Sequence, residues 1–563
     1  MLRLKNLPFF GKQNTALFEG TTNNGTTKIA ETLSKVDKDV DNEVFEKQNP
    51  DSKIFDTKED TISKNEKIVE TIQPSYLGYL SGVFTNIWNQ TVGPEDIKND
   101  ELIPGSKING KSKLNSRDAS PTRVTKILIK KASRAEISNR TKVLVDKLML
   151  AQATSSKILR MQMLSQHIQE FPGSRMVAVS NQSLVAYLLN QVESAAEAGV
   201  QEEARMCLSL CGYSPVLDTR GIRILSIDGG GTRGMMGLTI LAAIEKAAGK
   251  KIYELFDHIT GVSTGAILAV LLGIKKCSVE ECKTTYMDIS RRLFNQGKLS
   301  GVSGLLMSHS YYNTTLWVDI LKEKIGENIT CSDTAKQPKT PRLCVASCIV
   351  NSPQLQPYMF RNYELPGGNS SHYRGGTQHK VWQAIQASAA APGYFEEVRL
   401  GTILHQDGGV LANNPTAIAI HESKKLWPND PVQCVVSIGN GRSVAELELT
   451  TENRKLTKLQ DKISKIVDSA TDTEATHQCV NDLLPDGTYF RFNPYMSFPY
   501  TLDEIQEEKL DQMQRDANLY VRRNARKLDE CAKTLLIPPS YTQTLKRQSI
   551  SKLHKMGIFK LDF

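Results

Sequence analysis

No run in this chain approaches the ~20 consecutive apolar residues that a membrane-crossing helix needs. The longest apolar stretch, residues 265–274, is too short for a span and reads as a buried helix. Cys-x-x-Cys pairs are missing among the ten cysteines. Cys207 and Cys211, like Cys344 and Cys348, stand four apart, but no His or Cys lies at the spacing a zinc site uses. Buried free thiols in a reducing compartment are the simpler reading. No Gly-Lys-Ser/Thr loop is present to hold a nucleotide triphosphate, and no zinc-finger, RNA-binding or helix-turn-helix signature points to nucleic acid. Asp37-x-Asp39-x-Asp41 begins like a calcium loop, yet Asn42 stands at the sixth position in place of glycine and Gln48 at the twelfth in place of glutamate. No metal site and no cofactor are therefore expected.

Residues 1–120 also lack the periodic apolar runs that build a core, so a largely unstructured front is expected there. Within it, residues 1–18 carry Arg3, Lys5 and Lys12 with no acid before Glu19. This is compatible with a mitochondrial presequence and equally with an ordinary loose terminus. Tyr76, Tyr79, Phe84 and Trp88 form an aromatic island that suits either a membrane interface or packing on the folded body. Residues 105–121 read as a linker.

Helical spacing of apolar residues begins in the next stretch, 121–220, and predicts a helical subdomain. Its first part is the most basic in the chain: Arg123, Lys126, Lys130, Lys131, Arg134, Arg140, Lys142 and Lys147 face only Glu136 and Asp146. A solvated helical face and an anionic membrane surface both fit such a pattern. The net charge of +9 and the 40% hydrophobic content fit a soluble or peripheral protein that favours anionic surfaces.

The informative stretch is 221–274, which has two glycine-rich corners. The apolar run 222–227 enters Asp228-Gly229-Gly230-Gly231-Thr232-Arg233-Gly234, and helical spacing follows it from 235 to 248. The run 256–260 enters Gly261-Val262-Ser263-Thr264-Gly265, and a helix is expected over 266–274. Gly-x-Ser-x-Gly between strand and helix puts the serine on a strained turn with its hydroxyl held out as a nucleophile. Three glycines opening a helix can turn several N–H groups toward one point, as an oxyanion or a phosphate requires. A base is needed as well. Asp407-Gly408-Gly409, after the short strand 402–406, offers a carboxylate that can approach closely.

These three elements, in this order, resemble the signature of the patatin-like phospholipases. The interval from Ser263 to Asp407 and the long N-terminal extension are similar to the gamma type of calcium-independent phospholipase A2. The resemblance implies an α/β fold of three layers, with a central, mostly parallel sheet between helices. Residues 221–442 would form the catalytic domain and 443–563 a mainly helical extension packed on it. It implies Ser263 as nucleophile, Asp407 as its base, and Gly229, Gly230, Gly231, Thr232 and Arg233 as the oxyanion site. Gly234, Gly261, Gly265, Gly408 and Gly409 are the remaining motif glycines. It also implies hydrolysis of glycerophospholipid acyl esters without a metal, by a protein peripheral on mitochondrial, endoplasmic-reticulum or peroxisomal membranes.

Four rivals stay open at this stage. His405, two residues before Asp407 on one side of a strand, allows a Ser-His-Asp triad. The first glycine corner also suits a dinucleotide fold, although its acidic residue, Asp257, lies at the wrong end of the second strand. A non-catalytic membrane scaffold or a broader lipid esterase shares the same sequence, but the presence of both Ser263 and Asp407 speaks against a dead enzyme.

Overall fold

The computed structural model describes residues 132–295, 312–368, 370–442 and 473–558. The segment 1–18, the aromatic island, the linker 105–121, and Arg123, Lys126, Lys130 and Lys131 lie outside the described residues.

Nine strands make one sheet among the described residues. They are β1 (Ile222–Ile227), β2 (His258–Val262), β3 (Arg342–Ile349), β4 (Gln356–Arg361), β5 (Arg374–Gly376), β6 (Val398–Leu400), β7 (Ile403–Asp407), β8 (Val432–Ile438) and β9 (Tyr489–Phe492). The main path runs β5-β4-β3-β2-β1-β8-β9, with β7 joined to β3 and to β6. From β3 through β2, β1 and β8 to β9 all neighbours are parallel, whereas β4 and β7 run antiparallel to β3. All six residues of β1 are buried, as a central strand covered on both faces must be. Arg223 tolerates that burial because Asp257 meets its guanidinium at 2.8 Å. Asp257 is thus spent at the start of β2, away from any ribose.

The alternation along β1 sets the three layers. Leu225 and Ile227 pack with Leu238 and Leu241 on one side, while Ile222 and Ile224 pack with Ala419 and Leu426 on the other.

Among the described residues five helices precede the sheet: α1 (Arg134–Met149), α2 (Thr154–Glu170), α3 (Ser174–Val179), α4 (Gln182–Ser194) and α5 (Ala198–Leu210). They enclose a core of their own that includes Leu148, Leu164, Ile168, Leu184 and Leu188. Arg342, at the start of β3, ties them to the sheet by donating to Ser209 Oγ at 2.6 Å and to the Tyr213 carbonyl at 2.9 Å.

Besides the single turns Ile252–Leu255 and Gly409–Ala412, the other α-helices among the described residues are α6 (Gly234–Ala248), α7 (Thr264–Ala269), α8 (Val279–Phe294), α9 (Thr314–Ile325), α10 (Val381–Ser388), α11 (Thr416–Leu426), α12 (Glu474–Leu483), α13 (Glu507–Arg523), α14 (Ala525–Leu536) and α15 (Tyr541–Lys555). α6 is covered by α13 and α14, and α11 lies against β1 and β8 from the opposite face. Among the described residues no helix is long and apolar enough to cross a membrane.

Three expected helices differ in extent. The one after Ser263 starts at Thr264 and passes into a π-helical turn, Val270–Ile274. The small-residue run 382–395, which reads as a helix ended by Pro392 and Gly393, is helical only as far as Ser388, since Pro392 has no N–H to return to the Ser388 carbonyl. The stretch 502–536 begins its helix only at Glu507 and breaks at Asn524 into α13 and α14.

Candidate active site

β3 is the template on which the site is assembled. β2 runs beside it up to the pair Val262 and Ala346. There the chain turns off at Ser263, and on the next rung of β3, Ser347, the partner is Asp407 at the end of β7. Asp407 therefore occupies the place that β2 leaves, beside the residue at which β2 leaves it.

The turn is tight. Ser263 has φ 52° and ψ −121°, a left-handed conformation that costs energy for a residue with a Cβ. A Cβ on Gly261 would stand 2.2 Å from the Gly265 carbonyl oxygen, and one on Gly265 would stand 2.2 Å from that of Ile227. Only glycine fits at either side of the serine.

Asp407 Oδ1 accepts the Gly409 amide at 2.7 Å. Burial pushes the Asp407 carboxyl up to about 6, while the neighbouring Ser263 hydroxyl and the Gly409 amide resist that rise. Gly408 sits where a Cβ would be 2.3 Å from the Ala346 carbonyl oxygen, so β7 can leave along β3 only through glycine.

The other glycine corner divides its amides. That of Gly229 goes to the Asn413 carbonyl at 3.2 Å, that of Thr232 to the Leu502 carbonyl at 2.8 Å, and that of Arg233 to the Gly230 carbonyl at 3.3 Å. The amides of Gly230 and Gly231 have no acceptor among the described residues. Gly231, at φ 57°, has its carbonyl fixed by Thr264 Oγ1 at 2.9 Å and by the Tyr286 hydroxyl. Arg233 turns its Nε back onto the Gly230 carbonyl at 3.0 Å, and Gly234 opens α6. Asp228, just before the corner, is buried against Arg491 of β9 at 2.7 Å.

His405 shares β7 with Asp407 but serves another purpose. Its Nδ1 meets Ser347 Oγ at 3.0 Å, its ring packs on Tyr358 and Phe360, and its Nε2 has no partner among the described residues. Burial pulls its pKa down to about 4, so the ring is neutral at ordinary pH.

A cleft opens from Ser263 and Gly231. Its walls are largely apolar, with Ile267, Ile289, Leu293, Phe294, Trp317 and Phe395 among them. Ser263 thus stands at the polar end of an otherwise oily slot. Four residues that sequence reasoning passed over bear on this site: Ser388, Tyr286, Arg491 and Leu502. Ser388 left only a weak trace, a single hydroxyl in a run of alanines, and the others left none.

Residues 225–420 match the family model described as patatin-like phospholipase. The matched stretch, from β1 into α11, is similar to patatin-like phospholipase domains. Over 467 residues it is 39% identical to calcium-independent phospholipase A2-gamma of Mus musculus, covering 83% of this chain and 59% of that one. Over 406 residues it is 43% identical to the protein of the same description from Homo sapiens, covering 72% of this chain and 51% of that one. The chain thus spans about half to three-fifths of the length of these curated relatives. A solved structure titled Human GIVD cytosolic phospholipase A2 aligns over 64% of each chain at 10% identity and a TM-score of 0.34, too loose a likeness to argue from. Arg491 and Leu502 lie beyond the matched patatin domain, so its glycine corner is held partly from outside it.

Proposed function

We propose that this protein hydrolyses acyl esters of membrane glycerophospholipids by a Ser263 and Asp407 dyad, through an acyl-serine intermediate. The observation that carries the reading is the juxtaposition of Ser263, where β2 leaves β3, with the buried Asp407, which takes the next rung of β3, at the head of an apolar cleft. The relatives are described as calcium-independent phospholipases A2, which supports the same reaction class here.

In this reading the lipid acyl chain lies along Ile267, Leu293, Phe294 and Trp317, bringing its ester carbonyl to Ser263. Ser263 Oγ attacks that carbon and its proton passes to Asp407. The oxyanion that forms is met by the amides of Gly230 and Gly231, whose donors are not spent within the corner. The C–O bond to the glycerol then breaks, and the departing alkoxide takes the proton from Asp407 to leave as lysophospholipid. Water next attacks the acyl-serine while Asp407 accepts its proton. The bond to Oγ breaks, Ser263 regains the proton, and a fatty acid leaves. Peripheral contact with an organelle membrane, anionic in keeping with the chain's positive charge, would supply the substrate.

Release of fatty acid from mixed-chain phosphatidylcholine vesicles in excess chelator tests this. The intact protein should release acid, and Ser263→Ala and Asp407→Asn should each lose at least about 10³-fold in rate. The identity of the released chain assigns the bond cleaved. Unchanged hydrolysis by Ser263→Ala would remove the proposed nucleophile, and vesicle binding without hydrolysis by the intact protein would favour a scaffold.

A further inference from the structure

α10 ends on the active site. Its last residue, Ser388, is fully buried, and its hydroxyl does two things at once. It accepts the Ser263 amide at 2.8 Å and donates to the Ala346 carbonyl at 2.6 Å. Ala346 is the β3 residue opposite Val262, so this hydroxyl ties the serine turn to the strand that also carries Asp407. The same stretch holds the other partner. The Ser388 carbonyl accepts the Gly408 amide at 3.2 Å, and the Ala390 carbonyl accepts the Asp407 amide at 3.0 Å.

We propose that Ser388 is a positioning residue whose hydroxyl, bridging the Ser263 amide and the Ala346 carbonyl, holds the serine turn in place beside Asp407. This rests on the reading of Ser263 as nucleophile and Asp407 as base. The need for such a clamp follows from the turn itself. Ser263 is held at a positive φ that a non-glycine residue leaves when it is free to do so. A small displacement there moves Oγ away from the carboxylate and from an incoming carbonyl. The bridging position asks for an atom that donates and accepts together. A hydroxyl does both, a thiol does so only weakly, and a methyl group does neither.

Ser388 also leaves a signature in pH. The Ser263 hydroxyl lowers the Asp407 pKa, so a turn that drifts away lets that pKa climb above its value of about 6. The groups facing Asp407 do not obscure this effect. Gly409 contributes a neutral amide, the Cys348 thiol is pushed up to about 12 and stays protonated, and His405 on the same strand is neutral and bonded to Ser347.

The test uses the whole chain and a fluorophosphonate probe, which reports serine reactivity without a lipid interface. Labelling rates are read against pH for the intact protein and for Ser388→Ala, Ser388→Cys, Ser388→Thr and Ser263→Ala, with melting curves for each. Ser388→Ala should label about tenfold or more slowly, equivalent to one decade in rate. Its acid midpoint should move to higher pH, and Ser388→Thr should recover most of both. If Ser388→Ala does not fold, Ser388→Cys keeps the volume and carries the same comparison. Labelling of the folded variant at the intact rate with an unmoved midpoint, while Ser263→Ala stays unlabelled, would overturn the proposal and leave the dyad standing. Labelling of Ser263→Ala at the intact rate would instead bring down the dyad, and the proposal with it.

Discussion

The proposed reaction asks Asp407 to be a base in a place that disfavours charge. Its carboxyl is buried, which raises its pKa from the ordinary 3.8 to about 6. A base must be ionised to act, so kcat/KM is expected to fall as pH drops through about 6. The same shift bears on stability. A carboxyl whose folded pKa is raised costs nothing below its unfolded pKa, and the cost grows to its full size above the folded one. For a shift of this size the cost is roughly 2–3 kcal/mol at neutral pH, taken as an upper figure. Asp407→Asn should therefore be inactive yet more stable than the intact protein at pH 7, with the gap shrinking toward zero near pH 4. Thermal melts across that range check it, and a variant less stable at pH 7 would contradict the assignment. Ser263 and Asp407 stood out in the sequence as candidates because each is framed by glycines, and a Cβ at Gly261, Gly265 or Gly408 would indeed strike neighbouring backbone. Which amides stay free was not legible. That depends on Asn413 and Leu502, which are distant in sequence and take up the donors of Gly229 and Thr232.

At the scale of elements, register explains what the motifs alone do not. β3 carries β2 on its first rungs and β7 on its last, so the proposed nucleophile and base are brought together by two strand pairings more than by either loop. The β-rich runs were readable from composition, but the reversal of β4 and β7 against β3 was not, since an apolar strand buried on both faces looks the same in either direction. β9 adds a second support. Its Arg491 spans from Asp228 at 2.7 Å to Ser437 Oγ at 3.0 Å, fixing the strand end from which the glycine corner departs. Burial already lifts the Asp228 pKa to about 6, and Arg491 is what holds it down. Removing that charge leaves a buried carboxylate without its partner, a change that typically costs about 3–5 kcal/mol. Arg491→Gln should melt well below the intact protein, and the deficit should widen between pH 5.5 and pH 8 as Asp228 is forced to ionise. Melting curves at the two pH values measure this, and an equal deficit at both would contradict the role given to the ion pair.

At the scale of the molecule, the patatin domain does not close its own site. Helices from the preceding subdomain meet the start of β3 through Arg342, while the segment that follows the domain supplies β9, the Leu502 carbonyl and the helices that cover α6. The sequence reads 121–220 and 502–536 as helical and 460–498 as mixed. It did not show that residues 489–502 reach the glycine corner, because a lone strand and an irregular stretch have no repeating pattern to read. The central claim is that an acyl group passes through Ser263, and the most direct measurement is mass spectrometry of peptides from enzyme quenched during turnover of phosphatidylcholine vesicles. The account predicts one added acyl mass on the peptide that contains Ser263, absent from Ser263→Ala. Steady release of fatty acid with that peptide always unmodified, or with the acyl group on another residue, would contradict it.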